Sequence, residues 1–253
     1  MIELEKRVTF FTGNYGSGKT EVAVNIARAY ACNGRSVALG DLDVVNPYFR
    51  CREAAQELRA QGVRLIIPDE GFQWADLPIV KPQLKGALLD EQTTFLGDVG
   101  GDDVGARILG SFATALSGRS YQLLLVLNAN RPFTDTAESC VRMIGEIEAS
   151  SRLQAGGLVS NTHLMDETDL ETVQRGYALG KEVEGLRGVP LKFITAPRGL
   201  SEAFEAGRFD VPVLPIERTM LPPWGRREKV GPEHFSLKGM SPEERARKIE
   251  KRS

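Results

Sequence analysis

The sequence predicts an α/β fold in three layers, a mostly parallel sheet covered by helices on both faces. Short apolar runs rich in β-branched and aromatic residues alternate with longer amphipathic stretches along most of the chain. Strands separated in this way by helices read as crossover units of a parallel sheet. The first run also passes through a glycine-rich turn directly into a helical pattern. Composition is the third observation: 253 residues, 42% hydrophobic and 26% charged, form a chain able to bury a full core, with no sign of disorder or a disulfide scaffold.

Taken in order, strands are expected at residues 8–12, 36–39, 64–67, 94–96, 123–127, 157–160, 191–194 and 213–216. Helical patterns lie between them at 19–32, 53–60, 104–116, 136–148 and 169–183. Two stretches fall outside the alternation and read as additions to the sheet: residues 68–92, which carry Phe72, Trp74, Pro78 and Pro82, and the tail from Pro222 onward. The expected division is a body at 1–221 and a charged tail at 222–253. From Arg226 the tail holds 9 basic and 5 acidic residues, a balance of +4 within a chain of net charge -2. Ser241-Pro242-Glu243-Glu244 is a helix start, with a capping Ser and Pro at the first helical position.

The balance of 32 basic and 34 acidic residues gives no global reason to expect nucleic acid or an anionic membrane as partner. No apolar run approaches the ~20 residues of a membrane span. Cys32, Cys51 and Cys140 are far apart and suggest neither a disulfide framework nor a zinc site. The N-terminus lacks the apolar core of a signal peptide, so a cytoplasmic protein is expected. His163 and His234 stand alone and make no metal motif.

The strongest chemical signal is Gly13-Asn14-Tyr15-Gly16-Ser17-Gly18-Lys19-Thr20, a full match to G-x-x-x-x-G-K-[ST]. Chance produces it in roughly one chain of this length in a hundred. Here it follows an expected strand and opens an expected helix, where successive backbone N–H groups and the helix dipole form a nest for phosphates. Lys19 should reach the β- and γ-phosphate oxygens and the Thr20 hydroxyl should bind Mg²⁺. Glu21, next in line, belongs to the same binding stretch. Asp41 and Asp43 end the second strand, at the edge of a parallel sheet that faces a ligand. Phe95-Leu96-Gly97-Asp98-Val99-Gly100-Gly101 is a strand ending in D-x-x-G, in which Asp98 would hold Mg²⁺ and the Gly101 N–H could sense the γ-phosphate.

These pieces resemble the MinD/ParA group of P-loop ATPases, which is joined with the CobQ/CobB nucleotide-binding domain. The resemblance runs from Val8 to about Ile216. It rests on the G-N-Y-G-S-G-K-T loop, the helix after it, the D-L-D and D-V-G-G segments, and the late stretch T-A-P-R-G-L-S-E-A-F-E-A-G-R-F-D-V-P-V. It implies a three-layer P-loop NTPase fold, ATP and Mg²⁺ as cofactors, Asp43 as the group that orients the hydrolytic water, Asp41 and Asp98 as supports of Mg²⁺, and a loop at Pro197 bordering the base. One departure matters: the group's signature lysine at the second loop position is Asn14 here, so that lysine cannot be supplied in trans across a dimer. Arg50 or Arg52 could replace its charge.

No N-K-x-D guanine motif occurs. Asn161, at the end of a late strand, could read an adenine edge, as in the MinD/ParA relatives. The leading expectation is an ATP-hydrolysing switch that grips and releases a protein partner and can form a homodimer. A small-molecule synthetase or kinase in the manner of dethiobiotin synthetase, and a metallochaperone GTPase, are the alternatives.

Overall fold

The computed structural model describes residues 1–43, 51–67, 82–101, 103–116, 118–202, 204 and 207–220. Those up to Met220 form one compact unit. The expected tail, the additions at 68–81 and the segment at 44–50 lie outside the described residues.

Eight strands build one sheet: β1 (Val8–Thr12), β2 (Val37–Leu42), β3 (Arg64–Ile66), β4 (Thr94–Val99), β5 (Tyr121–Leu127), β6 (Gly157–Ser160), β7 (Leu191–Pro197) and β8 (Val213–Ile216). Their order is β3-β2-β4-β1-β5-β6-β7-β8, and every neighbouring pair is parallel. The helices are α1 (Lys19–Cys32), α2 (Ala55–Ala60), α3 (Pro82–Leu89), α4 (Asp103–Leu116), α5 (Ala137–Ser151), α6 (Leu170–Arg187) and the short α7 (Arg198–Ser201). This is the expected α/β architecture. A parallel sheet needs cover on both faces because every strand is connected by a crossover.

Period-2 alternation decides which side chain goes to which face. In β1, Phe10 enters the core beneath α3 to α6, while Phe11 enters the core beneath α1 and α2. In β5, Leu123, Leu125 and Leu127 join Phe10, whereas Leu124 and Val126 join Phe11. The rings of Phe10, Phe95 and Phe112 form the centre of the first core, with Phe10 at 5.8 Å from Phe95 and 6.0 Å from Phe112.

Several boundaries differ from the sequence expectation, each for a physical reason. β2 and β4 do not stop at Leu39 and Leu96. Their ladder continues through Gly40↔Gly97 and Asp41↔Asp98 to Leu42↔Val99, because backbone groups pair whether or not the side chains are apolar. Gly97 is required there: a Cβ would come within 2.5 Å of the Phe10 ring. β7 likewise runs on to Pro197. Helix α3, inside the stretch read as an addition, begins at Pro82, where a proline serves as first helical residue and not as a breaker. It buries Leu84, Ala87 and Leu88 in the Phe10 core.

Phe10→Ala should therefore destabilise the fold by about 3–5 kcal/mol, read as a lower midpoint in urea. Leu186→Ala, at a position 59% exposed, should stay within about 0.5 kcal/mol.

Candidate functional site

The carboxyl ends of β1, β2, β4, β5, β6 and β7 share one edge of the sheet, and the loop from β1 to α1 crosses it. Gly13, Gly16 and Gly18 of this loop have φ of 139°, 74° and 82°, values that residues with a Cβ rarely adopt. Space is as restrictive as torsion at two of them. A Cβ on Gly13 would lie 2.4 Å from the Val126 carbonyl oxygen, and one on Gly18 would lie 2.1 Å from Asn161 Nδ2. Gly18 caps α1 with no side-chain hydrogen bond to the first turn. The first N–H groups of α1 thus open onto the edge, and they carry the positive end of the helix dipole.

Lys19 is 7% exposed, and its Nζ donates to the Asn14 carbonyl at 3.0 Å. Asn14 turns its side chain to the protein: Oδ1 accepts from Tyr15 N at 2.7 Å, and Nδ2 donates to Pro132 O at 3.3 Å. Tyr15 is exposed, Thr20 half-buried, and Ser17 buried with no partner for its hydroxyl among the described residues. Asp41, Asp43 and Asp98 are all buried at the ends of β2 and β4. Both carboxylate oxygens of Asp98 are buried outside hydrogen-bonding geometry. Burial, and then the Asp41 carboxylate beside it, push the Asp98 carboxyl up to about 8, against the opposing pull of the Thr20 hydroxyl and Lys19.

The edge opens into a cavity of about 860 Å³. Tyr15, Gly16, Gly18, Lys19, Thr20, Glu21, Asp43, Asn161 and Pro197 line it, so most of the site residues expected from the sequence meet in one space. Two of them are occupied with structural bonds. Asn161 Nδ2 donates to Ser17 O at 2.7 Å, and its Oδ1 accepts from Thr195 Oγ1 at 2.5 Å. The amide joins the end of β6, β7 and the glycine loop. Glu21 Oε1 accepts from the N–H groups of Thr219 and Met220 at 2.8 and 2.6 Å, which ties the segment after β8 to α1. Burial raises the Glu21 carboxyl above the usual range, opposed by these two bonds.

The far wall was not legible in the sequence. It includes Arg131, His163, Met165, Asp166 and Arg218, from connections that match no motif, and Ile216 at the end of β8. Arg131 Nε donates to Gly16 O at 3.2 Å, and Arg218 pairs with Asp166 at 3.1 Å. The one available signal was position, since Asn130-Arg131-Pro132 follows a strand beside β1. Arg50, His234, Phe72 and Trp74, together with the Arg52 side chain, lie outside the described residues.

The oxygen donors Thr20, Asp41, Asp43 and Asp98 suit a hard cation. Among the described residues no group of three or more His, Cys, Asp or Glu is placed to hold a metal alone. Mg²⁺ is commonly held by one or two protein oxygens together with phosphates. The Asp98 oxygens, buried without a well-formed hydrogen bond among the described residues, are the observation that favours a cation. Among the described residues, no helix is long and apolar enough to cross a membrane.

The parallel sheet, the glycine loop and its helix define the class: an α/β protein with the P-loop NTPase fold. Similar solved structures carry the same fold. The signal recognition particle 54 kDa protein from Aeropyrum pernix K1 in complex with GDP matches at TM-score 0.52 and 21% identity, over 76% of this chain and 42% of that one. The cell division protein FtsY from Thermotoga maritima matches at 0.50 and 19%, over 77% and 63%. The signal recognition particle receptor FtsY from Elizabethkingia anophelis matches at 0.50 and 18%, over 76% and 60%. The chain thus spans less than two thirds of each. No protein-family model and no curated protein matches it.

Burial, with Arg131 and Arg218 nearby, lowers the His163 pKa to about 4 from the ordinary 6.5. The folded protein keeps this imidazole neutral, while the unfolded chain takes a proton below pH ~6.5. Stability present above that pH is lost as pH falls toward 4, by up to about 3 kcal/mol. His163→Gln should flatten this part of the stability profile, measured as Tm against pH.

Proposed function

We propose that the protein is a Mg²⁺-dependent nucleoside triphosphatase, a cytoplasmic switch of the MinD/ParA type that binds ATP and acts on a protein partner, with a homodimer as one of its assemblies. The observation that carries this reading is the uncapped N-terminus of α1, with Lys19 buried beside it and three buried aspartates on adjoining strand ends. A phosphate chain laid along the loop meets backbone N–H groups from Gly16 to Thr20, and Lys19 exchanges its bond to Asn14 O for the terminal phosphate oxygens. Thr20, Asp41 and Asp98 would hold Mg²⁺, which when bound neutralises charge on the β- and γ-phosphates. Asp43, lining the cavity, orients the attacking water. Pro197 and Ile216 supply apolar surface for the base.

A guanine nucleotide is the second reading. It is supported by the GDP in the Aeropyrum pernix structure and by the Asn161 amide, which already gives one donor to Ser17 O and one acceptor site to Thr195 Oγ1. Competition between ATP and GTP for the unmodified protein separates the two.

Lys19→Ala should lower nucleotide affinity by orders of magnitude with an unchanged circular dichroism spectrum. Unaltered affinity in calorimetry would sink the phosphate-site reading. Asp43→Ala should still bind nucleotide while turnover drops about a hundredfold or more; normal turnover in that variant removes Asp43 from the hydrolytic role.

A further inference from the structure

We propose that Arg131 is a second cation of the nucleotide site, built into the turn between β5 and α5 to hold the non-terminal phosphates of a nucleoside di- or triphosphate. The proposal rests on the nucleotide reading above and adds to it the residue that replaces the charge missing at Asn14.

The turn is cross-linked on every side. The buried Asn128 accepts at its Oδ1 from Asn130 N at 2.9 Å, and its carbonyl accepts from Thr134 Oγ1 at 2.8 Å and from Arg131 N at 3.1 Å. Ala129 N donates to Thr162 Oγ1 at 3.0 Å, and Asn130 Nδ2 donates to His163 O at 3.1 Å. Its outer end clasps the glycine loop twice, through Arg131 Nε on Gly16 O and Pro132 O on Asn14 Nδ2. The arginine is therefore fixed at its Nε. Its two terminal nitrogens meet neither a carboxylate nor a carbonyl among the described residues. A half-buried arginine without an acid among the described residues, lining the same cavity as the amide nest, is a receptor for an anion, and its planar fork suits phosphate oxygens.

Its place in the cavity selects which phosphates. Lys19 Nζ lies at the Asn14 and Gly101 end: a Cβ on Gly101 would sit 2.9 Å from it. Arg131 lies at Gly16, where a Cβ would meet its Nε at 2.9 Å, and its charge is felt by His163. Thr195, Ala196 and Pro197, the side assigned to the base, line the same cavity. The two cations thus attend different ends of the phosphate chain. Arg131 faces the portion that diphosphates and triphosphates share, so it contributes to binding and little to the chemical step.

Calorimetry with ADP, ATP, GDP and GTP, on the unmodified protein and on Arg131→Met, Arg131→Gln and Arg131→Lys, tests this. For the nucleotide pair that the unmodified protein binds, Arg131→Met should weaken the diphosphate and the triphosphate by the same factor, about tenfold or more, with kcat within about twofold. Arg131→Gln keeps a donor for the Gly16 carbonyl without the charge and should lose as much, whereas Arg131→Lys should recover part of the affinity. Unmodified affinity in the Gln variant, or a loss confined to kcat or to the triphosphate, overturns the proposal. If the unmodified protein binds none of the four nucleotides, the functional reading fails as well.

Discussion

The working edge of this protein depends on the absence of a few methyl groups. Gly13 passes so close to the backbone of β5, Gly18 to the Asn161 amide and Gly101 to the Gly13 carbonyl that any Cβ would lie within 2.4 Å of another atom. Two of the three also need positive φ, so substitution would meet both a steric and a torsional penalty. Because the loop can lie this low, β1, β4, β5 and β6 converge beneath one arch. The amides of the first turn of α1 are then delivered to the same space as Lys19, Asp43 and the edge of β7.

The same convergence sets an electrostatic problem. Asp41 and Asp98 face each other across the β2–β4 ladder, both 1% exposed, with Asp43 following at the end of β2. Burial of charge is costly unless it is compensated, and Asp98 shows that cost as a carboxyl driven up to about 8. Lys19 is a nearby cation that lowers the Asp98 carboxyl only in part. A divalent cation joining the site would offset the buried Asp98 charge further, and Arg131 would share the charge of a bound phosphate chain.

What could be read from the residues follows from where each constraint is local. The loop 13–20 and the aspartates at 41, 43 and 98 carry their meaning in spacing, because a strand, a tight turn and a helix must follow one another within a few residues. The strand core was legible through its β-branched and aromatic runs. The ends of β2, β4 and β7 were not, since Gly40, Asp41, Gly97, Asp98 and Pro197 interrupt the apolar pattern while leaving the backbone ladder intact. Helix α3 was hidden because Pro82 reads equally as a breaker and as a first helical residue. The far wall was hidden more deeply. Arg131, His163 and Arg218 come from three connections far apart in sequence, and only the strand order β1-β5-β6-β7-β8 brings them to one cavity.

The most direct test of the account is a crystal structure with Mg²⁺ and non-hydrolysable triphosphate analogues of adenosine and guanosine. The account predicts phosphate density along residues 16–20, a cation beside Thr20, and the base between Pro197 and Ile216. A nucleotide bound elsewhere on the chain, or a glycine loop left empty at saturating ligand, would contradict it.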